Sequence, residues 1–341
     1  MHSLRLVQKP TIAIVGGDSL LGKDIRELIE ESGLKAEVKL IASDEGGEEE
    51  SILTRGRDEP LVMTSLQAAD LGAAKIVVLA GSQESGRRAY EQIRNADAAP
   101  NVIDLTGALE DLPDARLRAP MVEPPGPGTP GAVQIIAHPA AIALALLLSQ
   151  LQRAGGIRRA VAEVFEPASE RGQAGLDELQ KQTVSLLSFK PLSKEVYDAQ
   201  VSFNMLSQFG SDSPHSLEAI EQKIDRHLAS LLGRAGVAPM PSLRLIQAPV
   251  FHGYSVSLWV EFEKNPGKEA IARSLGSHLI DVRAGDEEPP TNVGVAGQSG
   301  IVVGSIALDR NQPQACWFWM VADNLRIAAE NALEVVRGSF A

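Results

Sequence analysis

The chain has 341 residues, a formal net charge of −12 and a hydrophobic content of 44%. Its length is about twice that of an ordinary domain, which predicts two globular domains. The acidic balance and the lack of any Lys/Arg run argue against a nucleic-acid partner, because phosphate binding needs a clustered basic surface, and the single cysteine, Cys316, excludes a disulfide framework.

The N-terminal end of the chain shows no targeting pattern. Residues 1–10 lead into an apolar strand without the basic, apolar and small-residue order of a signal peptide. The longest apolar run, residues 140–148, is too short to cross a bilayer and is typical of a buried helix. We therefore expect a cytoplasmic protein with no membrane partner, which agrees with the lone cysteine.

The first half of the chain alternates strands with helices. Strands are predicted at residues 12–15, 37–43, 74–81 and 101–107, and a helix at residues 86–95. A further helix follows the first strand, since apolar residues recur there at helical spacing, at Leu20, Leu21, Ile25, Leu28 and Ile29. This rhythm predicts an α/β fold with a parallel, doubly wound sheet.

After about residue 155 the pattern changes to longer strands. Strand-like alternation covers residues 156–169, 243–264, 299–310 and 314–323. Helices are predicted at residues 175–187 and 216–232, with an amphipathic closing helix at residues 324–338. Long strands with few helices predict an antiparallel or mixed sheet that is covered on one face.

The motif GGDSLLG places Gly16, Ser19 and Gly22 between the first strand and the first helix. A nucleotide diphosphate could bind there, because free N–H groups and the helix dipole favour an anion. A tight turn that binds nothing is the alternative, since Ser19 stands where a glycine would let pyrophosphate approach. If a dinucleotide binds, Asp44 and Glu45 after the second strand favour NAD over NADP, because carboxylates repel a 2′-phosphate.

The stretch IIAHPAAIALAL, residues 135–146, predicts a strand that runs into a helix through His138 and Pro139. In an α/β protein such a junction commonly presents a nucleophile. Here the residues at the start of the helix are Ala140, Ala141 and Ile142, and none of them is reactive.

Four segments together resemble the aspartate-semialdehyde dehydrogenase family: GGDSLLG, FNMLSQFG at 203–210, QAPVFHGYSVSLWVEFE at 247–263, and FWMVADNLRIAAENAL at 318–333. The resemblance covers nearly the whole chain in order. It implies a Rossmann dinucleotide-binding domain over residues 1–137 and an α+β catalytic and dimerisation domain with a mixed sheet over residues 138–318. Residues 319–341 would form a helix that packs back on the first domain, and the protein would be a homodimer.

The resemblance also implies a reaction, the reductive dephosphorylation of an aspartyl phosphate through a cysteine thioacyl intermediate. Matching the motifs residue by residue puts Ala141 at the nucleophilic cysteine, Gln247 at the substrate-binding arginine and Tyr254 at the acid/base histidine. A methyl group cannot form an acyl intermediate, and members of a catalytic unit are individually essential. We therefore expect no activity in the family reaction.

No other residue is expected to replace the missing nucleophile or base. Cys316 alternates with tryptophans along a predicted strand, which favours a buried structural thiol. His252 lies two residues before Tyr254, and a register shift turns side chains to the opposite face. His138 is interpreted as a satisfied, half-buried histidine, and the six histidines show no metal-ligand spacing, so no metal site is predicted.

The cofactor positions are better preserved than the catalytic ones. The segment SERG, residues 169–172, departs from a Ser-Gly-x-Gly loop that lies near the cofactor in the family, whereas Asn324 matches a segment that approaches the nicotinamide. The predicted cofactor-binding residues are Gly16, Ser19, Leu20, Gly22, Ser43, Asp44, Gly81 and Asn324.

Three functions stay open at this point. The first is a non-catalytic homologue with a binding or regulatory role, including association with a related active enzyme. The second is an oxidoreductase that acts on aspartate semialdehyde or another small substrate without a cysteine, with Tyr254 or His252 as proton donor. The third is a purely structural subunit. A polar cluster at the position of the family's active site would favour the second.

Overall fold

The computed structural model describes residues 9–42, 52–55, 60–96, 99–123, 133–235, 238–285 and 287–340. The chain divides into two compact units. The first comprises Met1–Pro120, Pro124–Ile136 and Ala328–Ala341, and the second comprises Met121–Glu123 and Ala137–Ile327. None of the helices in the described ranges is long and apolar enough to cross a membrane.

The first unit is built on a parallel sheet. Its strands are β1 (Thr11–Val15), β2 (Glu37–Ile41), β3 (Ile52–Arg55), β4 (Pro60–Met63), β5 (Ile76–Leu79), β6 (Asn101–Asp104), β7 (Arg116–Arg118) and β8 (Val133–Ile136), and its first two helices are α1 (Leu20–Glu31) and α2 (Gln83–Ile93). The main sheet has the order β2-β1-β5-β6-β8-β7, and every neighbouring pair is parallel. The predicted doubly wound parallel sheet is confirmed.

The central strands of this sheet are apolar at nearly every position. All four residues of β5 are fully buried, and so are Ile12, Ile14 and Val15 of β1. Strands covered on both faces carry such continuous apolar runs, which is why the sequence pattern located them. The short β7 and the antiparallel hairpin of β3 and β4 were not predicted, because three or four residues give no readable period.

The second unit is built on a mixed sheet. Its strands are β9 (Ile157–Glu166), β10 (Ser242–Gln247), β11 (Tyr254–Phe262), β12 (Ile280–Val282), β13 (Ile301–Leu308) and β14 (Ala315–Ala322). They follow the order β10-β9-β11-β14-β13-β12. The two outer pairs are parallel and the three inner pairs are antiparallel, so the predicted mixed sheet is also confirmed.

Five helices begin in the second unit. They are α3 (Pro139–Gly155), α4 (Gly172–Leu187), α5 (Leu217–Ala235), α6 (Lys268–Leu275) and α7 (Asn324–Gly338). A short 3-10 turn, Ala168–Arg171, joins β9 to α4. α3 packs against α5, α6 and β9. The ends of β9, β10 and β11 and the starts of α3 and α7 supply the residues of the candidate site.

Candidate functional site

The junction between β8 and α3 has the predicted strand-to-helix form. His138 caps the helix, its Nδ1 atom accepting from the N–H of Ala140 at 3.4 Å, and Pro139 takes the first helical position, where no N–H is needed. The N–H of His138 itself donates to Nδ1 of His227 in α5 at 2.9 Å. Ala141 follows in the first turn and is fully buried, so the junction is firmly held and presents only hydrocarbon.

Two of the other family positions meet at one residue that the sequence analysis did not select, Glu166. Gln247 ends β10 and donates from Nε2 to the backbone oxygen of Glu166 at 2.9 Å. Tyr254 begins β11, and its hydroxyl donates to Oε1 of Glu166 at 3.4 Å. All three side chains are almost completely buried, so position 247 holds the backbone at the end of β9 and position 254 holds the carboxyl group of Glu166.

The side chain of Glu166 is buried because it belongs to the inward-facing set of alternating positions in β9. Ala160, Ala162 and Val164 of β9 are buried, and strand side chains alternate with a period of two, so position 166 must also point inward. A charged residue on the buried phase of a strand was therefore the signal that sequence reasoning missed. Arg171, in the following 3-10 turn, donates from Nη2 to Oε1 of Glu166 at 2.8 Å.

A second carboxyl group completes the cluster. Glu170 accepts from Nδ2 of Asn324 at 2.8 Å through Oε1, and its Oε2 atom lies 3.8 Å from Nε2 of His138. The other end of the Asn324 amide is also occupied, because Oδ1 accepts from the N–H of Gly253 at 3.0 Å and from the hydroxyl of Ser169 at 3.2 Å. Asn324 is thus bonded at both ends of its side chain.

The position of Asn324 follows from the start of α7. Asp323 accepts through Oδ1 from the N–H groups of Leu325 and Arg326, as an N-cap residue does. The helix therefore begins at Asn324, directly after β14. The preserved Asp-Asn-Leu-Arg segment thus has a clear structural role in this protein. We call the set His138, Glu166, Glu170, Arg171, Tyr254 and Asn324 the polar cluster.

Burial dominates the electrostatics of the polar cluster. It raises the pKa of Glu166 to about 7, although Arg171 acts to lower that pKa, and Glu170 raises it further. Burial likewise raises the pKa of Glu170 and, together with the two carboxylates, that of Tyr254. The pKa of His138 is held well below its usual value by burial and by the positive charge of Lys223. At neutral pH the imidazole and phenol are uncharged and Glu166 is partly protonated.

Ligand atoms of His138, Glu166 and Glu170 lie within 4.8 Å of one another, a span that a metal ion could bridge. Two features of the cluster oppose that use. Nδ1 of His138 accepts a hydrogen bond, so the ring proton is on Nε2, the atom that faces Glu170. The guanidinium of Arg171 already supplies a positive charge beside Glu166. The arrangement is that of an ion-pair and hydrogen-bond network, and the sequence prediction of no metal site stays a prediction.

Cys316 is held at a different place in the second unit. It lies in β14 and is fully buried, and Nδ2 of Asn265 donates to its sulfur at 3.6 Å. Burial raises the pKa of the thiol, which disfavours the nucleophilic thiolate. His252 is half-buried in the loop before β11, where its backbone oxygen accepts from Asn292. Neither residue has a described bond to the polar cluster.

In the first unit the glycine motif is a close contact between backbones. Gly16 has a φ of +85°, and a Cβ there would lie 2.3 Å from Cα of Gly81; a Cβ on Gly22 would lie 2.0 Å from the oxygen of Gly16. Ser19 caps α1, accepting from the N–H of Gly22 at 2.8 Å and donating to the oxygen of Ala80 at 2.7 Å. These glycines are required by packing whether or not a nucleotide binds.

Two predicted cofactor residues, Ser43 and Asp44, lie outside the described residues. Leu20 is the first residue of α1 and is half-buried. The predicted residues Gly16, Ser19, Gly22 and Gly81 do come together, as the strand-to-helix motif implied. Their role in binding stays a prediction.

The sequence pattern of the semialdehyde dehydrogenase dimerisation domain matches residues 148–327, more than half of the chain. The chain belongs to the semialdehyde dehydrogenase family. This confirms the resemblance seen in the sequence.

Relatives of this semialdehyde dehydrogenase homologue span almost its whole length. A USG-1 protein homolog of Pseudomonas aeruginosa is 28% identical over 94% of this chain and 95% of its own. An aspartate-semialdehyde dehydrogenase of Prochlorococcus marinus is 25% identical over 96% of this chain and 97% of its own. A solved structure from Pseudomonas aeruginosa, titled a "probable aspartate-semialdehyde dehydrogenase", has a TM-score of 0.83 and 27% identity over 97% of this chain and 98% of its own.

A more distant solved structure shares only the fold. It is an aspartate semialdehyde dehydrogenase with NADP from Candida albicans, with a TM-score of 0.68 and 14% identity over 97% of this chain and 99% of its own. That neighbour was solved with NADP, and its likeness to this chain does not support the expected preference for NAD.

Proposed function

We propose that this protein is a semialdehyde dehydrogenase homologue that does not catalyse the cysteine-dependent family reaction. The observation that carries the proposal is Ala141, whose methyl group stands, by the motif match, at the position of the nucleophile and is fully buried in the first turn of α3. A hydrocarbon side chain has no electron pair with which to attack a carbonyl carbon, so no thioacyl intermediate can form there.

The positions of the substrate anchor and the base support the same proposal. The side chain of Gln247 is neutral, and its Nε2 donates hydrogen bonds to the backbone oxygens of Glu166 and Ala248. Tyr254 carries a phenol whose pKa is raised well above its ordinary value by burial, so it stays protonated and cannot act as a base near neutral pH.

The test is the phosphate-dependent oxidation of aspartate semialdehyde by the purified full chain, with NAD and with NADP. We expect no rate above buffer. Ala141→Cys should also be inactive, because the base and the anchor are still missing. Ala140→Cys is the matched control, because it introduces a thiol one residue away from the nucleophile position. A rate in Ala141→Cys that is at least tenfold above that of Ala140→Cys would mean that the base or the anchor has been assigned wrongly.

We also propose a homodimer formed through the second unit. Trp259 pairs with Trp317 across β11 and β14 and with Val161 across β11 and β9, so the three side chains share one face of the sheet. Val161 and Trp317 are each 42% exposed. A large exposed apolar surface on a sheet is typical of a protein interface. The matched pattern, which is that of a dimerisation domain, supports this surface as the two-fold contact. A regulatory role through a related active enzyme would use the same face.

The second candidate is an oxidoreductase that works without a cysteine. The polar cluster favours it, because Tyr254 and Glu166 could both supply a proton near neutral pH. Direct hydride transfer would require a nicotinamide ring beside them.

For the nucleotide we keep the expected preference for NAD over NADP as a proposal. It rests on Asp44 and Glu45 of the sequence. Tighter binding of NADP than of NAD in a calorimetric titration would contradict it.

A further inference from the structure

We infer that Glu170 and Arg171 occupy the part of the second unit where a nicotinamide ring would lie, so that the residues present do not fit the hydride-carrying half of a dinucleotide. The inference deepens the proposed function and rests on it. The inference concerns which ligand binds, whereas the proposed function concerns the missing thiol. Either one can therefore be disproved while the other stands.

The position of the two side chains is the first argument. Residues 169–172 align with a Ser-Gly-x-Gly loop near the cofactor, so Glu170 replaces a glycine and Arg171 fills the variable position. The structure turns both side chains inward, with only 14% of Glu170 and 10% of Arg171 exposed. Two long side chains therefore fill a place where the family loop has almost no side-chain volume.

The contacts of these side chains are the second argument. Glu170 accepts from Asn324 at 2.8 Å, and Arg171 donates to Glu166 at 2.8 Å. Asn324 matches the segment that approaches the nicotinamide, yet both ends of its amide are already bonded. Because Oδ1 already accepts two bonds and one N–H of Nδ2 is donated to Glu170, Asn324 could not accept from a nicotinamide carboxamide without giving up one of these bonds.

The cost of moving them is the third argument. A ring could enter only if the ion pair between Arg171 and Glu166 were broken, and separating a buried pair leaves an uncompensated charge. A nicotinamide ring carries no group that would neutralise both partners. The residues present therefore do not fit the nicotinamide half of the cofactor.

The experiment is isothermal titration of the full chain with NADH and with ADP-ribose. We expect the wild-type protein to bind NADH no more than threefold tighter than ADP-ribose. The double variant Glu170→Gly/Arg171→Ala removes both side chains and should bind NADH at least tenfold tighter than the wild type, with ADP-ribose unchanged. The control Glu170→Gln/Arg171→Met keeps the volume and removes the charges, and it should show no gain.

The double variant Glu170→Gly/Arg171→Ala is expected to fold. Glu166 Oε2, Arg171 Nε and Gln247 Oε1 are buried without a hydrogen-bond partner among the described residues. Without Arg171 the buried carboxyl of Glu166 loses its charge partner, and its pKa, already raised to about 7 by burial, lets it take a proton instead of staying charged. Circular dichroism and thermal unfolding check the fold, and Glu170→Gly alone replaces the double variant if that one is unfolded.

Three results would overturn the inference. One is wild-type NADH binding at least tenfold tighter than ADP-ribose binding. Another is a folded Glu170→Gly/Arg171→Ala variant that gains no affinity for NADH. A gain in the volume-preserving control would also contradict it, because charge and not occupied space would then be the barrier. None of these results depends on the aspartate semialdehyde assay, which tests the proposed function by itself.

Discussion

At the scale of single residues, two buried carboxyl groups face one guanidinium. Glu166 and Glu170 are both paired or hydrogen-bonded, yet the pKa of each is raised, because burial disfavours their charged forms more than Arg171 favours them. These two buried carboxyl groups therefore keep a proton to higher pH than free carboxyl groups do.

This predicts a stability that falls with rising pH. The pKa of Glu166 is about 7 in the folded protein and 4.5 for the free side chain, so the folded state binds the proton more tightly. Its contribution is fully present below about pH 4.5 and is lost as pH rises to about 7. The loss is on the order of 3 kcal/mol for that difference in pKa.

The variant Glu170→Gln tests this assignment. It removes the like charge that raises the pKa of Glu166 and leaves the pair of Glu166 with Arg171 in place. The loss of unfolding free energy between pH 5 and pH 8, measured in urea, should be smaller than in the wild type. Glu269→Gln, a change in the first turn of the exposed end of α6, is the control. An equal pH dependence in the wild type and Glu170→Gln would count against the coupling of the two carboxyl groups.

At the scale of elements, two segments that match motifs of the family lie at junctions of strands and helices. α1 begins where three backbones meet, and α3 begins where His138 is bonded to α5. In both places the family's functional sequence has become, or coincides with, a packing requirement. A glycine in a nucleotide motif is therefore not by itself evidence that a nucleotide binds.

Two helical glycines test that statement. Gly22→Ala should destabilise the protein by about 2 kcal/mol or more, because its Cβ would lie 2.0 Å from a backbone oxygen that cannot move freely. Gly233→Ala in α5 has nothing within 4 Å of the added Cβ and should be neutral or stabilising by about 0.5–1 kcal/mol. Urea unfolding midpoints measure both. Equal effects would show that α1 does not need the close approach.

At the scale of the whole molecule, the mixed sheet has one face that the chain itself does not fully cover. Asp309 accepts from the indole N–H groups of both Trp259 and Trp317 at 2.9 Å, which fixes the two rings on that face. Rings held in place by one carboxylate offer apolar surface at a low entropic cost, as interface residues do.

The dimer prediction follows from this face. Light scattering at micromolar concentration should give about twice the mass of the chain. Trp317→Arg places a charge in the contact and should shift the protein towards the monomer by at least tenfold in the dissociation constant. Val62→Arg, at a 62% exposed position of the first unit, should not. A wild-type protein that is monomeric and folded under these conditions would disprove the dimer.

Local patterns in the sequence determined much of this protein. The parallel sheet is identified by the continuous apolar runs of β1 and β5 and by the helical spacing after Gly16. Each of these patterns can be recognised within a few residues. The loss of the nucleophile was also visible, since Ala141 sits in a motif whose neighbours are recognisable. The same holds for the long alternating strands of the mixed sheet.

The polar cluster was decided only by the tertiary structure. Glu166 ends β9, Arg171 lies in the 3-10 turn that follows, and Asn324 comes more than a hundred residues later. Nothing in their spacing shows that they meet. They meet because β9 pairs with β10 and β11, and β11 with β14, which brings the ends of distant segments to one edge of the sheet. Strand pairing joins residues that are far apart in the sequence, so the contacts of Glu170 and Arg171 in the polar cluster could be recognised only in three dimensions.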